Sequence, residues 1–225
     1  MKIISSVLCL AFCLFVVSSA TAQKKPAVKK FTTSGYFEGI EMTSKESGDY
    51  GGTSVYLTQS DTDTFALVTT AEGSIFDPVL VKATMSSKDS RTIKFSLPND
   101  NGERIFKGTV SAAALTLNES GTKSVLKRTC AKTYSDISMG SGGDYGGTEI
   151  YITDSGNNWF VLVTIAEGLI GAPVLVPATV TGKNLDKIAF TVPGSERKFT
   201  GTIGKTSLTL NESGKKTVLK SKCYK

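Results

Sequence analysis

Two carboxylate pairs recur at one spacing: Asp49 with Glu72, and Asp144 with Glu167, each pair 23 residues apart. Two carboxyl groups roughly 5 to 10 Å apart are the working parts of acid–base glycoside cleavage, so this pattern offers a route to an enzyme. The rest of the composition argues against one. The chain has no histidine, which removes Ser-His-Asp and Cys-His nucleophilic sets, histidine metal sites and histidine proton transfer. Beyond the first 22 residues only Cys130 and Cys223 remain, too few for a four-ligand zinc site. Gly204-Lys205-Thr206 matches the end of a phosphate-binding loop, but the glycine required upstream is Phe199. No cofactor and no metal are expected. Glu72 and Glu167 stand in "AEG" tripeptides that read as solvated turns at strand ends, so binding is favoured over catalysis.

Binding candidates come from the aromatic residues near those acids. Tyr50 follows Asp49 in "SGDYGGT", and Tyr145 follows Asp144 in "GGDYGGT". Tyr56 and Tyr151 stand on the next strand. Trp159, the single tryptophan, replaces Thr64 of the other copy. An aromatic at a rim can stack on a sugar or an apolar ligand, and it can equally pack into a core. Glycines allow positive φ in such a loop, and Asp can bond its own backbone two residues on. The binding candidates are therefore Asp49, Tyr50, Asp144, Tyr145 and Trp159, beside a structural reading of the same loops. Cys130 and Cys223 are equivalent residues, so they join each other, join another chain, or stay as thiols. Asn118 and Asn211 open Asn-x-Ser acceptor patterns that also read as hairpin turns.

Those repeated residues belong to a tandem duplication. "GGTSVYLTQS" matches "GGTEIYITDS", and "FALVTTAEG" matches "FVLVTIAEG", 95 positions on; "LTLNESGTKSVLKRTC" matches "LTLNESGKKTVLKSKC" after a two-residue contraction. The period is too long for a solenoid and suits a small domain. The expected organisation is a signal peptide over 1–22, a basic tail over 23–30, and β-domains over 31–130 and 131–225. Each copy carries about eight short runs rich in Val, Ile, Thr and Phe, broken by turn residues. "TIKFSL" and "KIAFTV" alternate, and no helical stripe occurs. The fold class is all-β: two antiparallel barrels of about eight strands, with a small sandwich as the alternative. Large inward candidates in copy one are Ile40, Val55, Leu57, Phe65, Leu67, Leu80, Ile93, Phe95, Phe106 and Leu115, enough to fill a barrel of this size.

Lys2 precedes an apolar run, and Ser18-Ser19-Ala20-Thr21-Ala22 gives a small-x-small cleavage pattern before Gln23. The run is shorter than a bilayer crossing needs. Phe12 before Cys13 and Leu8 before Cys9 exclude a lipid anchor. Secretion to the medium or periplasm follows, with no membrane span. The formal charge of +6 loses only Lys2 with the leader, leaving +5. Lysines gather at both ends without interleaved aromatics, so no nucleic-acid partner is expected.

"FVLVTIAEGLIGAPVLVPATV" resembles a group of small exported bacterial proteins built on one β-domain with an "AEG…PVLVP" stretch. The resemblance implies a β-domain and no particular activity. This chain differs in carrying the unit twice and in ending each copy with a cysteine. The function expected is an exported, non-catalytic binding or interaction protein for an extracellular protein or polysaccharide. Its alternatives are a small carboxylate-dependent hydrolase of extracellular glycan and an inhibitor of an extracellular hydrolase.

Overall fold

The computed structural model describes residues 34–86, 91–100 and 102–223; the signal-peptide and basic-tail expectations fall outside them. The first sheet holds β1 (Gly35–Glu38), β2 (Ile40–Ser44), β3 (Asp49–Gln59), β4 (Thr64–Ile75) and β5 (Val79–Met85). It continues through β6 (Thr92–Asn99), β7 (Gly102–Val110), β8 (Ala114–Glu119) and β9 (Thr122–Thr129). The second sheet opens with β10 (Thr133–Ser135), β11 (Ser138–Met139), β12 (Tyr145–Asp154), β13 (Trp159–Ile170) and β14 (Val174–Thr181). It ends with β15 (Lys187–Val192), β16 (Arg197–Ile203), β17 (Ser207–Glu212) and β18 (Lys215–Lys222).

Each sheet is an antiparallel meander closed on itself. β1 pairs with both β3 and β9, and β10 with both β12 and β18. The segments β1 and β2 are one strand kinked at Gly39, so each copy is an eight-stranded barrel. Copy two's first strand starts at Thr133, earlier than its apolar spacing indicates, because Thr133 and Ser135 are short polar residues that nevertheless pair with β12 and β18.

The kink depends on glycine. Gly52 has φ +110°, and a Cβ there would fall on the carbonyl oxygen of Gly39. Its counterpart Gly147 has φ +117°, and a Cβ would meet Asp136. The "GDYGG" segment is therefore not the loop its glycines suggest. Asp49–Gly52 lie within β3, and the turn is Lys45–Gly48, with Gly48 N donating to Ser44 O at 3.0 Å. "NESG" is a hairpin turn. Ser120 and Gly121 have φ of 48° and 94°, Ser213 and Gly214 of 50° and 88°, the paired positive values of a two-residue type I′ connection.

Both barrels are filled. Phe37, Val55, Leu57, Ile93, Phe95, Phe106, Leu115 and Leu126 pack the first. Tyr134, Ile150, Val161, Ile188, Phe190, Phe199, Leu208 and Leu219 pack the second. Four inward candidates are misassigned. Ala66 and Val68 fill the lumen, which turns Phe65 and Leu67 of the same strand outward, together with Leu80 opposite Leu67. Ile40 lies beyond the kink and outside that core cluster.

Leu67 and Leu80, with Tyr56, pack between the barrels in one cluster with their own counterparts. Tyr56 stacks on Tyr151 at 4.3 Å and 10°, and Leu67 and Leu162 share the same buried cluster, with Leu80 and Leu175 against it. Each pair is 95 residues apart. This is an isologous interface of the kind a two-fold dimer makes, here inside one chain. Asp61 N donates to Ile170 O at 3.1 Å, and Ser155 Oγ donates to Asp77 Oδ1 at 2.6 Å. Each β3–β4-type hairpin thus sets its turn against the far end of the other, so the two barrels run antiparallel. Cys130 and Cys223 form a disulfide across the same seam, with Cα atoms 5.2 Å apart.

Candidate functional site

Inward rows of side chains run along every strand, and on three strands of each barrel that row ends in a charge. In copy one Phe106 is followed outward by Arg104, Leu117 by Glu119, and Val68 by Glu72. In copy two the series are Phe199 to Arg197, Leu210 to Glu212, and Ile165 to Glu167. All of these ends lie at one mouth of their barrel, the mouth carrying the turns after β2, β6 and β8 in the first and after β11, β15 and β17 in the second.

The charges meet there. Arg197 Nε and NH2 donate to the two oxygens of Glu212 at 2.5 and 2.8 Å, and NH1 donates to Glu167 Oε1 at 3.1 Å. Arg104 repeats the arrangement on Glu119 at 2.6 and 3.0 Å, with Glu72 Oε1 at 3.5 Å from NH1. Each guanidinium also lies over the phenylalanine below it, 5.4 Å from the Phe199 ring and 5.5 Å from the Phe106 ring. A bidentate fork fixes geometry as well as energy. Hydrogen bonding to Glu212 pushes the Arg197 guanidinium up, and the same contact holds the Glu212 carboxyl below the usual carboxylate range. Arg104 is pushed up likewise by Glu119.

Behind the second plug a cavity of about 250 Å³ opens at the mouth. Ile165, Phe199, Leu210 and Leu219 form its apolar floor; Asp136, Thr148, Glu167, Glu212, Lys215 and Thr217 form its polar wall. Asp136 Oδ1 accepts from Thr148 N at 2.6 Å.

The structure distributes the sequence candidates differently. Glu72 and Glu167 are exposed, as expected, but they stand on strands opposite Gly51 and Gly146 rather than in turns, and each pairs with an arginine. Asp49 accepts from the Ser47 hydroxyl and is exposed; Asp144 O accepts from Gly140 N at 2.8 Å. Tyr50 and Tyr145 are half-buried and stand opposite Gly73 and Gly168, where an aromatic covers a residue with no side chain. Tyr56 and Tyr151 are buried between the barrels, so stacking on a ligand is not available to them. Trp159 is half-buried and packs against the second core. Asn118 and Asn211 accept from Gly121 N and Gly214 N at 3.0 and 2.9 Å, bracing their turns. Arg104, Arg197, Glu119 and Glu212 are absent from the sequence candidates. Their signal was there: "ER" two or three residues before "F-x-G" in both copies, on the inward parity of the strand.

No family model and no curated protein matches the chain. Among solved structures it is similar to a DNA polymerase III subunit β sliding clamp of Pseudomonas aeruginosa bound to griselimycin. That likeness has 9% identity, covers 85% of this chain and 57% of that one, and has a TM-score of 0.18. A second Pseudomonas aeruginosa sliding-clamp structure gives 10% identity, 85% and 57% coverage, and a TM-score of 0.17. Scores this low carry no argument. Among the described residues no helix is long and apolar enough to cross a membrane.

Proposed function

We propose that this is an exported, non-catalytic binding protein that presents the mouths of its two barrels to an extracellular ligand. The observation that carries the reading is that both lumens are packed, while half-buried arginine–glutamate pairs and an exposed glutamate converge at each mouth. Packing of this kind leaves little room through the middle of a barrel, and the cavity of the second one lies at its mouth, against Phe199, Leu210 and Leu219. The rims, held by bidentate arginine plugs, are the rigid and chemically distinctive surfaces left. The two surfaces open toward opposite ends of the molecule, so each takes its own ligand. The leader pattern ending at Ala22 and the oxidised Cys130–Cys223 pair both suit an exported chain.

The test expresses the full chain, recovers the exported form, and titrates it against extracellular polysaccharides and proteins while assaying turnover. A mature chain beginning at Gln23, and binding without product that weakens when Arg104 and Arg197 are both replaced by Ala, are expected. Retention in the cell with the leader attached would refute export. Turnover that disappears with Glu72→Gln or Glu167→Gln would replace the reading with the hydrolase.

A further inference from the structure

The two mouths have diverged. Asp136 occupies the place of Gly39, since Tyr134 pairs with Ile150 as Phe37 pairs with Val55. Lys215, opposite Glu212, occupies the place of Thr122, opposite Glu119. No side chain could stand at Gly39, because a Cβ there would run into the Leu126 side chain. In the second barrel the equivalent position bears a carboxylate, and the equivalent leucine, Leu219, lines an open cavity.

We propose that the mouth of the second barrel binds a small organic ligand carrying a primary ammonium group; this deepens the binding-protein reading and rests on it. The sign of the charge is decided by Arg197. Three of its five N–H donors already go to Glu212 and Glu167, and the lining as a whole sets three carboxylates (Asp136, Glu167 and Glu212) against two cations (Arg197 and Lys215), so the space is net negative. With Arg197 and Glu212 neutralising each other, Asp136 and Glu167 face one cation, Lys215, across the same space. Carboxylates offer acceptors only, and an ammonium offers three donors and no acceptor. A bare metal ion is less well served: among the described residues no three His, Cys, Asp or Glu side chains come close enough to share one. Size follows from the cavity. At roughly 30 Å³ per water in the liquid, 250 Å³ corresponds to about eight waters, hence a ligand of about eight to ten heavy atoms. Its chain lies on Phe199 and Leu210 while the ammonium meets the acids, and Lys215 stands where a carboxylate at the other end would be welcome.

The probes are butylamine, 6-aminohexanoate and hexanoate, titrated calorimetrically into the intact two-barrel protein. Saturable binding of both amines, tighter for 6-aminohexanoate, with none for hexanoate, is expected. Glu167→Gln, an exposed rim substitution, should weaken the amines about tenfold. Asp136→Asn should do the same while keeping the acceptor for Thr148 N. Hexanoate binding as well as the amines, no amine binding at millimolar concentration, or wild-type affinity in both variants would overturn the assignment. If extracellular binding that depends on Arg104 and Arg197 persists while the amines fail, only this assignment falls and the wider reading stands.

Discussion

Replacing Tyr151 with Ala should uncouple the two barrels while leaving each folded. Tyr151 is 6% exposed, yet it is not part of the second barrel's core; it is buried by the first barrel, in a cluster with Tyr56, Leu67 and Leu162. A tyrosine buries about 150 to 250 Å², which at about 25 cal/mol per Å² is roughly 4 to 6 kcal/mol. Alanine keeps a little of that, and measured aromatic truncations in cores cost about 3 to 5 kcal/mol. The loss should fall on cohesion between barrels, because the lumen residues Val161 and Val163 are untouched. Trp159 is the only tryptophan and packs against the second core, so its fluorescence reports that barrel while far-ultraviolet dichroism reports both. In denaturant the two signals should coincide for the native chain and separate for Tyr151→Ala. Coincident curves with a stability loss below about 1 kcal/mol would refute the argument that this face is a cohesive interface.

Four further outcomes follow from the geometry. Reducing Cys130–Cys223, 93 residues apart, should lower the denaturant midpoint, since closing a loop near 100 residues is worth up to about 4.7 kcal/mol in the chain-entropy account; both barrels should keep their dichroism, and an unchanged midpoint would count against the bond. Gly52→Ala should cost about 1 to 3 kcal/mol from its positive φ and the Gly39 carbonyl, read as a lowered Tm. On the pH axis, Glu212 is held below the usual range by Arg197, so its contribution is present above the unfolded carboxyl pKa and lost as pH falls through the folded one; Arg197→Met should flatten that acid limb. Burial pushes Tyr36, Tyr134 and Tyr151 up, so their contribution is full below about pH 10 and lost as pH rises above it, and tyrosinate absorbance should show a late-titrating class.

The barrels were legible because alternation and turn chemistry are local. "TIKFSL" places Ile93, Phe95 and Leu97 on one face, and the structure buries all three. The "NESG" turns are set by residues that tolerate positive φ. What local pattern could not resolve was "FALV", apolar on both faces. Period-two alternation vanishes when a strand is buried on each side, and here one side meets the lumen and the other meets a second barrel. The choice between Ala66 and Leu67 as the inward residue therefore rested on a partner surface that no segment of copy one encodes. The mouth was missed for a related reason. Arg104 and Glu119 are remote in sequence, and "NESG" already had a sufficient explanation as a turn. Only the register Phe106 to Glu119 brings the two side chains to one place.

The antiparallel arrangement also explains which positions the copies share and which they do not. Near the pseudo-two-fold axis each residue meets its own counterpart, so Tyr faces Tyr, Leu faces Leu, and Cys130 bonds Cys223. A change in one copy there alters the surroundings of the other, and the pair is held to self-complementarity. Away from the axis that restraint ends. Asp77 accepts from Ser155 and Asn158, but its counterpart is Ala172, so this contact was made by one copy alone. The mouths lie farther off still, opening toward opposite ends, and each is free to change without disturbing its twin. Asp136 and Lys215 are departures of that kind: they add one acid and one base to a single mouth while the Arg–Glu–Glu plug beneath is kept in both. A duplicated fold that preserves the plug and varies the rim has separated what holds the barrel end together from what it exposes there.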